Sequence, residues 1–281
     1  MSNTWQRAMD LVKANFQLLI IIAGVFLLLP TLIIYLAVPE FANMEAMMGT
    51  PSDDPEEMLA QMGGLYGKIL PWALVSTVVS FIGYSAMVAL MGAKGITVGD
   101  AIVRGVKAVP SLIAVMILFF IAYLVAAFLV AIPIALLAGL LGMVSGALAS
   151  LVGVFAGVAV VLVSVLMMAR FCVTMPVMIL EQNLNPIAAM LRSWKLTKPR
   201  QWAILGFWAL LFVVYIVLAL LLNAIIALLA SLASGTAAAL IMGLFTGILG
   251  VFVAMIISGI AVAIHEQLAS DGPSKISETF E

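Results

Sequence analysis

The sequence predicts an all-α polytopic membrane protein, with six transmembrane helices and short amphipathic helices at the membrane surface. Three observations predict it. Of the 281 residues, 65% are hydrophobic and 9% charged, with a mean hydropathy of +1.29; a soluble domain carries about 25% charged residues. From Ala108 to Ala169 there is no charge at all, a run too long for one crossing and suited to two. The basic residues then segregate to one side when the apolar runs are threaded alternately through a bilayer.

The segment 4–17 opens the chain with Trp5, Ala8, Met9, Val12 and Phe16 at the spacing of one helix face and Arg7, Asp10 and Lys13 elsewhere, which reads as an interfacial helix. The apolar run over about 18–38 reaches about 31 Å, enough for a hydrocarbon core of about 30 Å. It is too long for the apolar core of a secretory signal peptide, so it is expected to be retained. Residues 40–67 form an acidic extracytoplasmic loop holding Glu40, Glu45, Asp53, Asp54, Glu56 and Glu57, where Pro55 with its two following glutamates suits the start of a short helix. The second span covers about 69–91. A second basic amphipathic helix follows at 96–109, with Ala101, Ile102, Val106 and Val109 on one side and Arg104 and Lys107 on another. Spans over about 110–137 and 147–169 are joined by a glycine-rich turn within 138–146. The cytoplasmic interfacial segment 170–200 precedes spans over about 201–229 and 237–264, and 265–281 is a flexible tail. Residues 1–264 are thus read as a single transmembrane domain.

Placing the N-terminus in the cytoplasm puts eleven of the twelve basic residues there, Lys68 being the exception. That bias orients the chain with both termini inside.

Composition also excludes chemistry. One cysteine, Cys172, permits no intrachain disulfide, and with His265 it leaves two soft or imidazole ligands where a structural zinc takes four. No metal, cofactor or nucleic-acid partner is expected. There is no phosphate-binding glycine loop, since Gly92 to Thr97 lacks the required spacing and strand, and there is no nucleophile elbow. The chain is expected to be nonenzymatic, with Glu181 and His265 its one acid–base combination.

Three basic amphipathic helices, at 4–17, 96–109 and 185–200, each precede a span. The last two align without a gap, AIVRGVKAV against AMLRSWKLT, so that Arg104 and Lys107 fall on Arg192 and Lys195. Three repeated helix-hairpin units would give this pattern. So would the benefit of a basic entry segment to any inward-starting span.

The densest information lies in 170–202. Arg170 ends the fourth span, Pro176 breaks the helix beyond it, and Asn185-Pro186 supplies a cap and a first-turn proline for a new helix. On that helix Ala188, Leu191, Trp194 and Lys195 share a side, with Arg192 offset. Thr197 to Pro199 ends it, and Trp202 anchors the next span at headgroup level. The order Arg170, Pro176, Glu181, Pro186, Ala189, Arg192-Ser193-Trp194, Leu196-Thr197 and an aromatic start to the next span resembles the membrane domain fused to bacterial glycerophosphoryl diester phosphodiesterases and related six-span inner-membrane proteins. The resemblance implies a bacterial inner-membrane location and, because no catalytic phosphodiesterase domain accompanies it here, implies nothing about hydrolysis.

Glu181 is the sharpest single candidate, because carboxylates at membrane depth are costly unless paired. It either salt-bridges Arg170 at the inner surface, contacts a ligand, or stays exposed. Arg104, Lys107, Arg170, Arg192, Lys195, Lys198 and Arg200 gather at the same surface, where each cation contributes on the order of 1 kcal/mol of attraction to anionic headgroups. Asn223 lies deep in a span as hydrogen-bonding glue between helices. Small residues spaced by four, at Gly142, Gly146 and Ser150, at Ala149, Gly153 and Gly157, and at Gly243 and Gly247, mark close helix crossings or a dimer face. The expected partners are membrane phospholipids, anionic ones first, and a second copy or another membrane protein. The leading function is binding or organising such lipids or partners. A transporter or lipid translocation component is the alternative.

Overall fold

The computed structural model describes residues 2–38, 55–143, 145–233 and 235–270. Every regular element among them is helical: α1 (Ser2–Ala14), α2 (Phe16–Ala37), α3 (Pro55–Gly92), α4 (Val98–Gly142), α5 (Gly146–Phe171), α6 (Thr174–Leu180), α7 (Pro186–Thr197), α8 (Gln201–Ser231) and α9 (Thr236–Ser270). Six of these, α2, α3, α4, α5, α8 and α9, carry the stretches long and apolar enough to cross a membrane. The chain is all-α with six such helices, consistent with a six-span helical membrane protein. Their surfaces are inverted relative to a soluble protein. Leu129, Leu136 and Leu220 are each at least 66% exposed, and exposed apolar surface on that scale calls for lipid or protein cover.

Several boundaries differ from those read in the sequence, each for a local reason. The basic segment at 96–109 is not a separate helix. It runs unbroken into the third span as the start of α4, passing Pro110 and Pro133. The acidic loop is shorter than expected, because the helix that Pro55 opens continues as α3 to Gly92; the part of it at 39–54 lies outside the described residues. At the other end α9 continues through His265 to Ser270, with His265 and Leu268 buried, so 265–270 belongs to the folded helix. Residues 271–281 are not described.

Proline leaves its mark in α2. Pro30 has no N–H to give Phe26, and its ring crowds that carbonyl. The helix widens over Gly24–Leu28, where the N–H of Leu29 donates to Gly24 O five residues back.

The described residues form two compact units. One comprises Ser2–Val109 and Val214–Ile264, the other Pro110–Val213 and the stretch from His265. In the first, glycines set the spacing between helices. A Cβ on Gly243 would stand 2.9 Å from Tyr35 Cβ, one on Gly105 2.8 Å from the Ile82 carbonyl oxygen, and one on Gly259 2.8 Å from Val12 Cγ2. These are the close approaches of α9 to α2, of α4 to α3 and of α9 to α1, around Ala8, Leu19, Met87, Met255 and Ile260.

Candidate functional site

In the second unit the site begins where α5 ends. Pro176 stands four residues past Cys172, whose carbonyl its ring would strike in a continuous helix. The helix stops at Phe171 and restarts at Thr174. After α6, Gln182 takes a left-handed conformation (φ +53°) that turns the chain back. Asn185 then caps α7: Ile187 N–H and Ala188 N–H each donate to its Oδ1 at 3.1 Å. Pro186 occupies the first helical position, where a missing N–H is harmless.

Arg170 is the structural pivot. It is buried, its guanidinium carbon lies 4.5 Å from the centroid of the Trp194 ring, and its Nη2 donates to Gln201 Oε1. Its main-chain oxygen accepts from Ser193 Oγ at 2.8 Å and from Thr197 Oγ1 at 3.3 Å. Phe171 packs on Trp194 at 5.6 Å. Arg170 thereby ties α5 to α7 and to the start of α8.

The expected Glu181–Arg170 bridge is absent. Glu181 Oε1 accepts from His265 Nε2 at 3.0 Å, and Oε2 faces Arg192 Nε at 3.4 Å. The seven residues of α6 carry Glu181 about 10 Å along the chain from the end of α5, while stacking on Trp194 holds Arg170 elsewhere. A carboxylate only accepts, so Nε2 carries the proton in this pair. The Glu181 side chain is 29% exposed and that of His265 8%. Cys172, the other group of nucleophilic type nearby in sequence, spends its S–H on Ala169 O at 3.2 Å.

The side of α7 that Leu191, Trp194 and Lys195 share faces outward. Ala189, Met190, Ser193 and Thr197 are buried, and Ile187, Leu191 and Trp194 are exposed next to Arg192 and Lys195. The first turns of α4 follow the same plan: Ala101, Gly105 and Ala108 are buried, and Val103 and Val106 are exposed alongside Lys107. The aligned pairs Ala101 and Ala189, Gly105 and Ser193, Val103 and Leu191, and Val106 and Trp194 therefore agree in burial as well as in sequence. Lys198 and Arg200 lie exposed on the single turn that joins α7 to α8. Asn223 stands exposed on α8.

No protein-family model, curated protein or solved structure matches this chain. Its chemistry is therefore read from its own geometry.

The sequence did not expose three features: the seating of Arg170 on Trp194, the Arg192 contact of Glu181, and a polar cavity of about 350 Å³ at the start of α4, lined in part by Lys94. The i, i+3 spacing of Arg104 and Lys107 was the available signal for the last. Among the described residues no group of three or more histidine, cysteine, aspartate or glutamate side chains is placed to hold a metal ion.

Proposed function

We propose that this chain is a nonenzymatic protein of the bacterial inner membrane, with both termini cytoplasmic, that binds and organises anionic phospholipids along its cytoplasmic surface. The observation that carries the reading is the outward face of α7. An exposed stripe of Ile187, Leu191 and Trp194 beside Arg192 and Lys195 suits a helix lying in the headgroup region, apolar side chains toward acyl chains and cations toward phosphates. The inward face is fixed by the Ser193–Arg170 hydrogen bond, so the outward face is presented rigidly. The basic bias of the loops on that side supports the same reading.

The test is native mass spectrometry of the purified protein, comparing the parent with an Arg192→Ala/Lys195→Ala variant. Selective retention of anionic over zwitterionic lipid, reduced in the variant, is the expected result. Equal retention of both lipid types in both proteins would reduce the basic face to a topology signal and turn attention to protein partners.

A further inference from the structure

The other unit holds a concentration of cations of its own, and it converges on a cavity. Between α3 and α4 the chain turns through Gly95 in a left-handed conformation (φ +70°). This turn sets Lys94 on one wall of the cavity of about 350 Å³ whose other wall is α4. Arg104 and Lys107, three residues apart and so on one helical face, line that wall with Asp100.

The carboxylate in the cavity is already committed. Thr97 Oγ1 donates to Asp100 Oδ2 at 2.6 Å, and Asp100 N–H donates to Thr97 Oγ1 at 3.1 Å, a closed cap at the start of α4 that also takes up one free helix N–H. Among the described residues none of Lys94, Arg104 and Lys107 takes a carboxylate partner. Three cations against one carboxylate leave the cavity with an excess of two positive charges. Inward positive bias requires cations on this side of a membrane, but it does not require three of them to line one concavity.

We propose that this cavity is a binding site for a dianionic phosphate group, the phosphomonoester headgroup of a membrane lipid or a small soluble organophosphate. A phosphate monoester carries about −1.5 to −2 charges at pH 7, matching the excess of two, whereas the phosphodiester of most phospholipids carries one. Arg104 offers a planar pair of N–H donors to two phosphate oxygens, and Lys94 and Lys107 act as point charges from either side. The cavity lies where the chain turns from α3 into α4, two helices long and apolar enough to cross a membrane. Val103 and Val106, exposed on the same helix, suit the start of the acyl chains.

The experiment uses the full chain in nanodiscs of phosphatidylcholine doped with either phosphatidic acid or phosphatidylglycerol, with retained lipid read by native mass spectrometry. Phosphatidic acid is expected to be retained in preference. An Arg104→Gln/Lys107→Gln variant should lose that preference by about 30-fold, two cations' worth of headgroup attraction. Lys94→Gln, on the turn outside the helix, should weaken it in the same direction, so the result stands even if the double variant folds poorly. Arg192→Gln/Lys195→Gln should leave the preference unchanged, which separates this site from the face of α7. Saturable displacement by glycerol phosphate, without lipid retention, would support the site and identify its ligand as soluble. Equal retention of the two lipids, unaltered by Arg104→Gln/Lys107→Gln and by Lys94→Gln, together with no glycerol phosphate binding, would overturn the proposal.

Discussion

Glu181 and His265 lie 84 residues apart in the sequence and meet at 3.0 Å, Oε1 to Nε2, joining the end of α6 to the last turns of α9. The histidine is almost fully buried and has the carboxylate as its partner. Removing that partner leaves a buried polar group unsatisfied, a loss on the order of 1–3 kcal/mol. Glu181→Ala is therefore expected to lower the thermal unfolding temperature in detergent. Arg192→Gln breaks only the more exposed contact, with its side chain 48% exposed, and is expected to stay within about 1 kcal/mol of the parent. Equal unfolding temperatures for Glu181→Ala and the parent would show that the pair contributes nothing to folding.

Arg170 offers a separate test, because its main chain and side chain do different jobs. Ser193 Oγ donates to its carbonyl within the buried joint of α5 and α7, so Ser193→Ala should cost about 1 kcal/mol. Arg170→Lys keeps the charge but gives up the planar stack on Trp194 and the geometry that reaches Gln201. It should destabilise more than Ser193→Ala, and thermal unfolding of the two variants side by side decides the order. A lysine variant as stable as the parent would mean that charge alone, rather than the guanidinium plane, holds this joint.

The cap on α7 predicts a graded series. Asn185 Oδ1 receives two main-chain N–H groups, and replacing such a cap by alanine costs about 1 kcal/mol. Asn185→Ala should lower the unfolding temperature while Asn185→Asp, which keeps the acceptor, restores most of it. If both variants behave alike, the cap is not what starts α7.

What could be read from the sequence follows the range of the forces involved. Asn185-Pro186 announces a helix start because cap and first-turn proline act over three residues, and Pro176 announces the break at Cys172 because its ring acts over four. The six long helices were legible for the same reason, since hydrocarbon length is a local property of each run. Glu181 was legible as a residue needing a partner and His265 as its one acid–base companion, but the choice of His265 over Arg170 was made by packing between distant segments. Which side of α7 meets the protein has a different cause. Leu191 and Trp194 share a side in the sequence, and at a membrane surface apolar side chains have two places to go. The small residues Ala189 and Ser193 take the protein side because they allow the close approach on which the Arg170 hydrogen bond depends. The alignment of 101–109 with 189–197 carried that information, since Gly105 falls on Ser193 and both are buried.

Glycines within the long helices look equivalent in the sequence, yet their surroundings predict opposite responses to a single methyl group. A Cβ on Gly259 would sit 3.1 Å from the carbonyl oxygen of Ala8 as well as 2.8 Å from Val12 Cγ2, and one on Gly243 would sit 2.9 Å from Tyr35 Cβ. A main-chain oxygen and the root of an aromatic side chain cannot swing aside, so α1 or α2 would have to move away from α9. Gly259→Ala and Gly243→Ala are expected to destabilise by about 1–3 kcal/mol, the usual cost of overpacking. Gly153 and Gly157 on α5 have nothing within 4 Å of the added atom. There alanine meets open space and gains helix propensity, so the expected outcome runs from no change to a gain of about 1 kcal/mol. Thermal unfolding of the four single variants in one detergent measures the split. If Gly153→Ala and Gly157→Ala destabilise as much as Gly259→Ala, another surface must cover the face of α5 in the protein as purified. Cross-linking of neighbouring chains through a cysteine placed at Gly153, with Cys172 replaced by alanine, would then show whether that surface belongs to a second copy.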